Sequence, residues 1–105
     1  MEQYERIKIN FEKPWEYFAV RYYGDSMTNI GMRDDSILVV HKQQTAEDGD
    51  IVVALYNDEP IVRYYKKREN KGFLVAGNSK DFPLPISDDI SFRILGRVVQ
   101  MQVNF

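Results

Sequence analysis

Residues 18–27, FAVRYYGDSM, join an aromatic-rich strand pattern to a tight turn. Gly24 permits a sharp change of direction, so the sequence predicts that Ser26 lies just beyond the end of a strand. A serine at such a place is a candidate nucleophile, provided that a neighbouring base takes the proton of its hydroxyl. Gly-Asp-Ser is also ordinary turn chemistry, in which the Asp25 and Ser26 side chains bond to nearby backbone and do nothing else. These residues alone leave both interpretations open.

Length and composition predict one globular domain over residues 1–105. The hydrophobic share of 44% suits a packed core, and the charged share of 29% argues against a membrane protein. No run approaches the length needed to span a bilayer. The first six residues, MEQYER, carry acids early and lack the apolar segment of a secretory signal. We therefore expect a cytoplasmic protein.

The residue types also exclude several kinds of site. The chain has no cysteine, which rules out disulfides and thiolate chemistry. His41, the only histidine, follows an apolar run, where a surface position at a strand end is a commoner explanation than membership of a catalytic triad. One histidine without cysteine makes no convincing zinc set, and we expect neither a metal nor a cofactor. A net charge of -2 gives no global attraction for nucleic acid.

Alternating apolar residues between evenly spaced turns predict a mostly β fold. The strand patterns occupy residues 7–11, 15–23, 37–40, 51–56, 61–67, 73–76 and 99–105. An Asp-Gly turn precedes the pattern at 51–56, and polar turns join it to the next two, which predicts a three-stranded meander. Residues 28–36 and 77–89 are predicted to be loops. No window shows a helical period beyond a turn or two, so we predict a small barrel or a folded-over sheet.

The last pattern, at 99–105, has two interpretations. Val99, Met101, Val103 and Phe105 alternate with polar residues, so the strand has one apolar face. It either pairs with a second copy of the chain, since an unpaired edge is otherwise a liability, or lies inside the barrel.

The basic run RYYKKR at residues 63–68 also has two interpretations. Cations with interleaved aromatic rings suit a single-stranded nucleic acid, which needs backbone contacts and stacking. The alternative is a strand with one solvated face that ends in a charged turn.

Several short motifs, taken in their order and spacing, resemble one known family. They are FAVR at 18–21, GDSM at 24–27, IG at 30–31, Asp34, VHK at 40–42, DGDIVVA at 48–54 and GRVV at 96–99. Together they resemble the C-terminal domain of LexA-type repressors, a family that includes lambda-like phage repressors and the UmuD mutagenesis proteins. The resemblance covers about residues 17–100. It implies a mostly β domain that forms a homodimer and, in the bacterial SOS response, cuts its own chain with a Ser/Lys dyad when a RecA filament binds.

The resemblance assigns the nucleophile to Ser26 and the oxyanion contacts to backbone N–H groups around it. The position that matches the dyad lysine holds Arg63. A neutral lysine can accept a proton when burial lowers its pKa, whereas a guanidinium stays protonated and has no lone pair to offer. Arg63 therefore cannot take the proton of Ser26.

No neighbouring lysine replaces the missing base in this sequence. Lys66 lies three residues along the predicted strand from Arg63, roughly 10 Å away, and Lys67 lies about 13 Å away. A β-bulge could turn one of these lysine side chains to the other face of the strand, but it would not close either distance. Proton transfer needs about 3 Å or one bridging water. The sequence therefore predicts an inactive member of a serine peptidase family.

The chain also departs from the family pattern outside the dyad. The usual Asp-Gly-Asp after the serine loop is Asp34-Asp35-Ser36, no Ala-Gly bond precedes Ser26, and no helix-turn-helix is present. We expect DNA contact only through an N-terminal domain that this sequence lacks. Our first hypothesis is the dimerisation and regulatory domain of a LexA-like transcriptional repressor with lost or impaired self-cleavage. The alternatives are an active self-cleaving peptidase that uses Lys66 or Lys67, and a UmuD-like polymerase accessory protein.

Overall fold

Eight antiparallel strands in one sheet form the structure, a computed structural model that describes residues 2–104. The strands are β1 (Gln3–Ile7), β2 (Tyr17–Tyr23), β3 (Ser36–Lys42), β4 (Ile51–Tyr56), β5 (Glu59–Arg68), β6 (Lys71–Val75), β7 (Leu84–Ile86) and β8 (Phe92–Gln102). A single 3₁₀ turn at Thr28–Ile30 is the only helical element in that range. The predicted mostly β, folded-over sheet is confirmed. No helix within residues 2–104 has the length and apolar character that a membrane crossing requires.

The strand order in the sheet is β1-β2-β3-β8-β4-β5-β6-β7. The last strand in sequence therefore lies near the middle, between β3 and β4. The sheet curls into a half-barrel, as the twist of adjacent strands favours, and β1 approaches β5 across the opening. This curl brings together the start of β1, the end of β2 and the middle of β5, which are far apart in sequence.

Two groups of buried side chains lie on opposite faces of β4 and β5. The larger group consists of Phe18, Val20, Tyr22, Met27, Met32, Leu38, Val40, Val53 and Val62. The smaller group consists of Val52, Ala54, Ile61, Leu74 and Ile94. Alternate residues of β2 point into the larger group because successive side chains in a strand face opposite ways. Met27 and Met32 lie on either side of the 3₁₀ turn and fasten the loop after β2 to this core.

Two tight hairpins connect β4, β5 and β6. Asn57 and Asp58 have φ of 50° and 65°, and Glu69 and Asn70 have φ of 51° and 66°. Two-residue loops with both φ positive are type I′ turns, whose twist matches that of the flanking strands, and asparagine and aspartate tolerate this conformation. The predicted three-stranded meander is therefore confirmed.

The first predicted strand, at residues 7–11, is wrong except at Ile7. The structure places β1 four residues earlier and ends it at Ile7, where its partner β2 is also close to its start. Residues 8–16 form a connection in which Ile9 is 39% exposed and Trp15 is 67% exposed. Alternation of apolar residues does not make a strand when no neighbouring strand extends far enough to pair with it.

The terminal strand lies inside the sheet for part of its length. β8 pairs with β4 through residues 92–97 and with β3 through residues 96–102. Its first half is therefore an interior strand. Among the described residues, the ladder of residues 98–102 has a partner on one side only.

The predicted apolar face of the terminal strand is wrong because of a β-bulge. Val40 pairs with Val98 and Val39 pairs with Gln100, so Val99 is an extra residue on β8. Val98 and Met101 pack against the larger core, whereas Val99 is 42% exposed. β8 ends before Val103, and Phe105 lies outside the described residues.

The predicted loop at 77–89 contains one short strand that the sequence did not indicate. β7 is three residues long and pairs only with β6 at the edge of the sheet. Its middle residue is Pro85, which lacks a backbone N–H and is tolerated in an edge strand.

Candidate functional site

The loop after β2 holds Ser26 in a buried position. Gly24 has a φ of 154°, and a Cβ atom there would lie 2.6 Å from the Tyr22 hydroxyl oxygen, so this position requires glycine. The Gly77 N–H donates to the Ser26 carbonyl at 2.6 Å. Met27, fully buried, follows directly. The loop therefore turns the Ser26 side chain inward, and the residue is only 2% exposed.

Three oxygen atoms surround the Ser26 hydroxyl. It donates to Oε2 of Glu2 at 2.8 Å and lies 3.3 Å from the carbonyl oxygen of Val62. The Tyr22 hydroxyl is 2.8 Å away, and either of these two hydroxyls can donate to the other. The one proton of Ser26 thus has more acceptors than it can serve at once. None of the three acceptors is an amine.

Arg63 lies on β5 and reaches the same place from the other side. Its Nη1 donates to Oε1 of Glu2 at 2.6 Å and to the Val62 carbonyl at 2.9 Å. The Arg63 side chain is 10% exposed, so the guanidinium is a buried charge. The two site residues predicted from sequence are therefore brought to the two oxygens of one carboxylate. Burial also removes Arg63 from any surface patch made by the basic run at 63–68.

Glu2 is the site residue that the sequence did not reveal. Its side chain is 14% exposed, and it accepts hydrogen bonds from four donors. These are the Ser26 hydroxyl at 2.8 Å, the Tyr22 hydroxyl at 3.0 Å, the Val62 N–H at 3.1 Å and Arg63 Nη1 at 2.6 Å. A buried guanidinium needs a carboxylate within reach, and that requirement was the available signal. Choosing Glu2 among the 16 acidic residues required knowing that β1 curls toward β5.

Tyr22 contributes a neutral hydroxyl to the site. Burial raises the pKa of Tyr22 to about 12; the hydrogen bond with Ser26 acts in the opposite direction, and the nearby charge of Glu2 adds to the rise. The phenol therefore stays protonated near neutral pH and donates to Glu2. It cannot serve as the base for Ser26.

Glu2 is the only carboxylate that the Ser26 hydroxyl contacts among residues 2–104. Proton transfer from Ser26 to Glu2 would convert the serine into an alkoxide, which is a far stronger base than a carboxylate, and would break the ion pair of Glu2 with Arg63. The proton therefore stays on the serine, and this arrangement holds the serine as an alcohol. The geometry favours hydrogen bonding and ion pairing over nucleophilic attack.

The two lysines of β5 that could replace the missing base are Lys66 and Lys67. Lys66 Nζ is 5.5 Å from the centre of the Tyr64 ring. The Lys67 N–H donates to Asp48 at the far end of the strand, at 2.8 Å. Within residues 2–104, no lysine nitrogen forms a hydrogen bond with the Ser26 hydroxyl.

A lysine from another segment approaches the serine loop but is committed elsewhere. Lys80 Nζ donates to the Asp25 carboxylate at 2.7 Å. This hydrogen bond and the opposite charges raise the pKa of Lys80 and lower the pKa of Asp25. Lys80 is therefore held in its charged form, which has no lone pair for a proton.

His41 does not belong to the site. It is the last residue but one of β3, its ring is edge-on to Tyr17 with 5.3 Å between ring centres, and its Nδ1 is 2.8 Å from the Gln43 side chain. In the described part of the chain, no three His, Asp or Glu side chains converge as a metal site requires.

The Ser26 N–H, one of the donors expected around the oxyanion, faces the Tyr22 hydroxyl at 3.4 Å.

Comparison with known proteins adds a family likeness to this geometry. Residues 1–99 match the model of the peptidase S24-like family. The chain is 40% identical over 95 residues to the LexA repressor of Shewanella oneidensis, and the match covers 90% of this chain and 45% of that protein. It is also 40% identical over 86 residues to the LexA repressor of Shewanella halifaxensis, covering 82% of this chain and 42% of that protein. The chain thus spans less than half the length of these curated relatives.

Proposed function

We propose that this chain, which belongs to the peptidase S24-like family, is the dimerisation and regulatory domain of a LexA-like transcriptional repressor with lost or severely impaired self-cleavage. The similarity to two LexA repressors over most of this chain supports the repressor assignment. Those matches leave more than half of each relative uncovered. We assign DNA contact to a further domain of the full-length protein, because this chain carries a net charge of -2.

The observation that carries the loss of cleavage is the pairing of Arg63 with Glu2. A Ser/Lys dyad needs a neutral amine within about 3 Å of the serine oxygen. Arg63 stands at the position that matches the lysine, and its charge is compensated by a carboxylate that also receives the Ser26 proton in a hydrogen bond. A guanidinium cannot give up its proton in a protein, so the residues of the site within 2–104 include no group that can activate the serine.

The half-open ladder of β8 supports dimerisation. Residues 98–102 pair only with β3 among the described residues, and an unpaired ladder favours addition of another strand. Val99 is exposed at the same place. In this proposal, two copies meet along their β8 strands, which would place two DNA-binding domains of the full-length protein side by side.

The experiment uses the full-length protein together with activated RecA filaments. The unaltered protein is expected to remain intact while the LexA repressor of Shewanella oneidensis, added to the same reaction, is cut. Electrophoresis and intact mass give the readout. A RecA-dependent product that the Ser26→Ala variant fails to make would refute the loss of cleavage and support an active peptidase.

Two further readouts separate a repressor from a polymerase accessory protein. A repressor should contain an upstream helix-turn-helix and shift a fragment of its own promoter in a gel. A full-length protein that is dimeric by light scattering but has no such domain and no operator binding would favour the UmuD-like alternative.

A further inference from the structure

The donors around Glu2 form a binding site for a carboxylate group, in addition to the ion pair with Arg63. Oε2 accepts from Tyr22, Ser26 and the Val62 N–H, and Oε1 accepts from Arg63. All four donors belong to β2, the loop after it and β5, and Glu2, the residue that precedes β1, supplies only the carboxylate. The binding site is therefore formed by the rest of the fold and is filled from the segment that leads into β1.

The donors are held in place by contacts that do not involve Glu2. Tyr22 is fully buried on β2, which pairs with β3 along its length, and Val62 lies in the middle of β5 in a ladder with β4. Ser26 is fixed by the Gly77 N–H and by the burial of Met27. Tyr22, Ser26 and the Val62 N–H should keep their positions if the carboxylate leaves, because none of their supports leaves with it. Arg63 would lose its ion pair but keep its hydrogen bond to the Val62 carbonyl at 2.9 Å.

The guanidinium has capacity that Glu2 does not use. Arg63 Nε is buried and has no hydrogen-bond partner among residues 2–104. Of the two Glu2 oxygens, Arg63 binds only Oε1, and it uses Nη1 alone to do so. A carboxylate that is not attached to the backbone at residue 2 could shift to make the two-pronged contact that arginine favours.

A route from solvent to this site also exists. A cleft of about 580 Å³ opens beside Glu2, with Gly24, Thr28 and Asp34 among its walls. Its walls also include Arg33 and two acids that already have donors: Asp34 accepts a hydrogen bond from the Gly24 N–H at 2.7 Å, and Asp25 accepts one from Lys80 at 2.7 Å. An anion entering the cleft would thus meet carboxylates that are already engaged with donors.

We propose that Tyr22, Ser26, the Val62 N–H and Arg63 form a carboxylate-binding site, which Glu2 fills from within the chain and an external carboxylate fills when Glu2 is removed. The geometry selects a planar anion with two oxygens, since Oε1 and Oε2 have different donors. Chloride, with one centre, cannot satisfy both sets. The test of this proposal does not depend on repressor function or on the cleavage assay, because binding is measured as a rise in Tm.

The test is chemical rescue of the Glu2→Ala variant with sodium acetate. The substitution removes a CH₂ group and a carboxylate, which are the heavy atoms of acetate. At an acetate concentration about ten times its dissociation constant, the variant's Tm should be roughly 5 °C higher than in sodium chloride of equal ionic strength. The unaltered protein should show no difference between the two salts, because its site is occupied.

The double variant Glu2→Ala/Arg63→Met serves as the matched control and should lose the acetate effect. The same variants are also tested with N-acetylglycine, in which the carboxylate follows a peptide group as it does at the end of a peptide. A larger shift with N-acetylglycine would identify a peptide end as the better ligand, and a larger shift with acetate would identify a small free acid.

Equal Tm values for Glu2→Ala in acetate and chloride would overturn the proposal, and so would an acetate effect of the same size in the unaltered protein. If Glu2→Ala is unfolded in chloride, circular dichroism would measure recovery of folded protein after each salt is added. Recovery in acetate alone would support the site, and recovery in neither salt or equally in both would refute it.

Discussion

Substitution of Glu2 by glutamine should destabilise the fold strongly, although Glu2 lies almost at the start of the chain. The change keeps the shape of the side chain and removes the negative charge that faces Arg63 at 2.6 Å. The two side chains are only 14% and 10% exposed, so solvent screens the remaining guanidinium poorly. Removal of one partner from a buried ion pair costs about 3–5 kcal/mol. We expect the lower end, about 3 kcal/mol, which in a domain of this size lowers Tm by roughly 12 °C.

The assay is thermal and urea unfolding followed by circular dichroism, with a matched control three residues further along the chain. Glu5 lies on β1 and forms an ion pair, with Arg21 at 3.4 Å, but its side chain is 61% exposed. An exposed pair of this kind contributes about 0–1 kcal/mol. Glu5→Gln should therefore change Tm by no more than about 4 °C.

A double-mutant cycle tests whether the cost comes from the pair. Arg63→Met alone leaves the Glu2 carboxylate buried without its cation, whereas Glu2→Gln/Arg63→Met removes both charges. Removal of both partners is often close to neutral, so the double variant should be more stable than the sum of the single changes predicts, by about 2 kcal/mol or more. Additivity within about 0.5 kcal/mol would refute the buried pair as we describe it.

Three further predictions concern the serine loop, the buried phenol and the open ladder of β8. Gly24→Ala should lower the free energy of unfolding in urea by more than about 1 kcal/mol, because a Cβ atom would lie 2.6 Å from the Tyr22 hydroxyl and the φ of 154° favours glycine. The folded pKa of Tyr22 is raised to about 12, so its contribution to stability should be complete below pH 10 and lost as pH rises to 12; Tyr22→Phe should weaken that alkaline loss in a pH series of unfolding midpoints. Val99→Asp should shift the light-scattering mass from dimer toward monomer, and Ile9→Asp, a change at another exposed apolar residue, should not.

The sequence was sufficient where local chemistry decides the structure. Asparagine and aspartate at Asn57, Asp58 and Asn70 adopt positive φ, and the strands they join alternate regularly, so the meander could be predicted. Ser26 could be placed after a strand end because Gly24 stands between the strand and the turn. Arg63 could be placed opposite it only through the family resemblance.

The rest depends on contacts between distant parts of the chain. Alternation at residues 7–11 could not show that the partner strand begins only at Tyr17. The bulge at Val99 reverses which side chains of the terminal strand face the core. A shift of one residue in the register of two strands cannot be detected from the spacing of apolar residues alone. Glu2 enters the site because the sheet curls, and curling is a property of the whole sheet.

Self-cleavage of the full-length protein at alkaline pH tests the central claim most directly, since a Ser/Lys dyad gains a neutral base there without any partner. The unaltered protein should stay intact at every pH tested, as should Ser26→Ala. Arg63→Lys/Glu2→Ala should be cut at a rate that rises with pH, and Arg63→Lys alone should be cut more slowly, because Glu2 would hold the new lysine in its charged form. A product made by the unaltered protein and abolished by Ser26→Ala would contradict the account, since Ser26 would then have found a base that Arg63 cannot be.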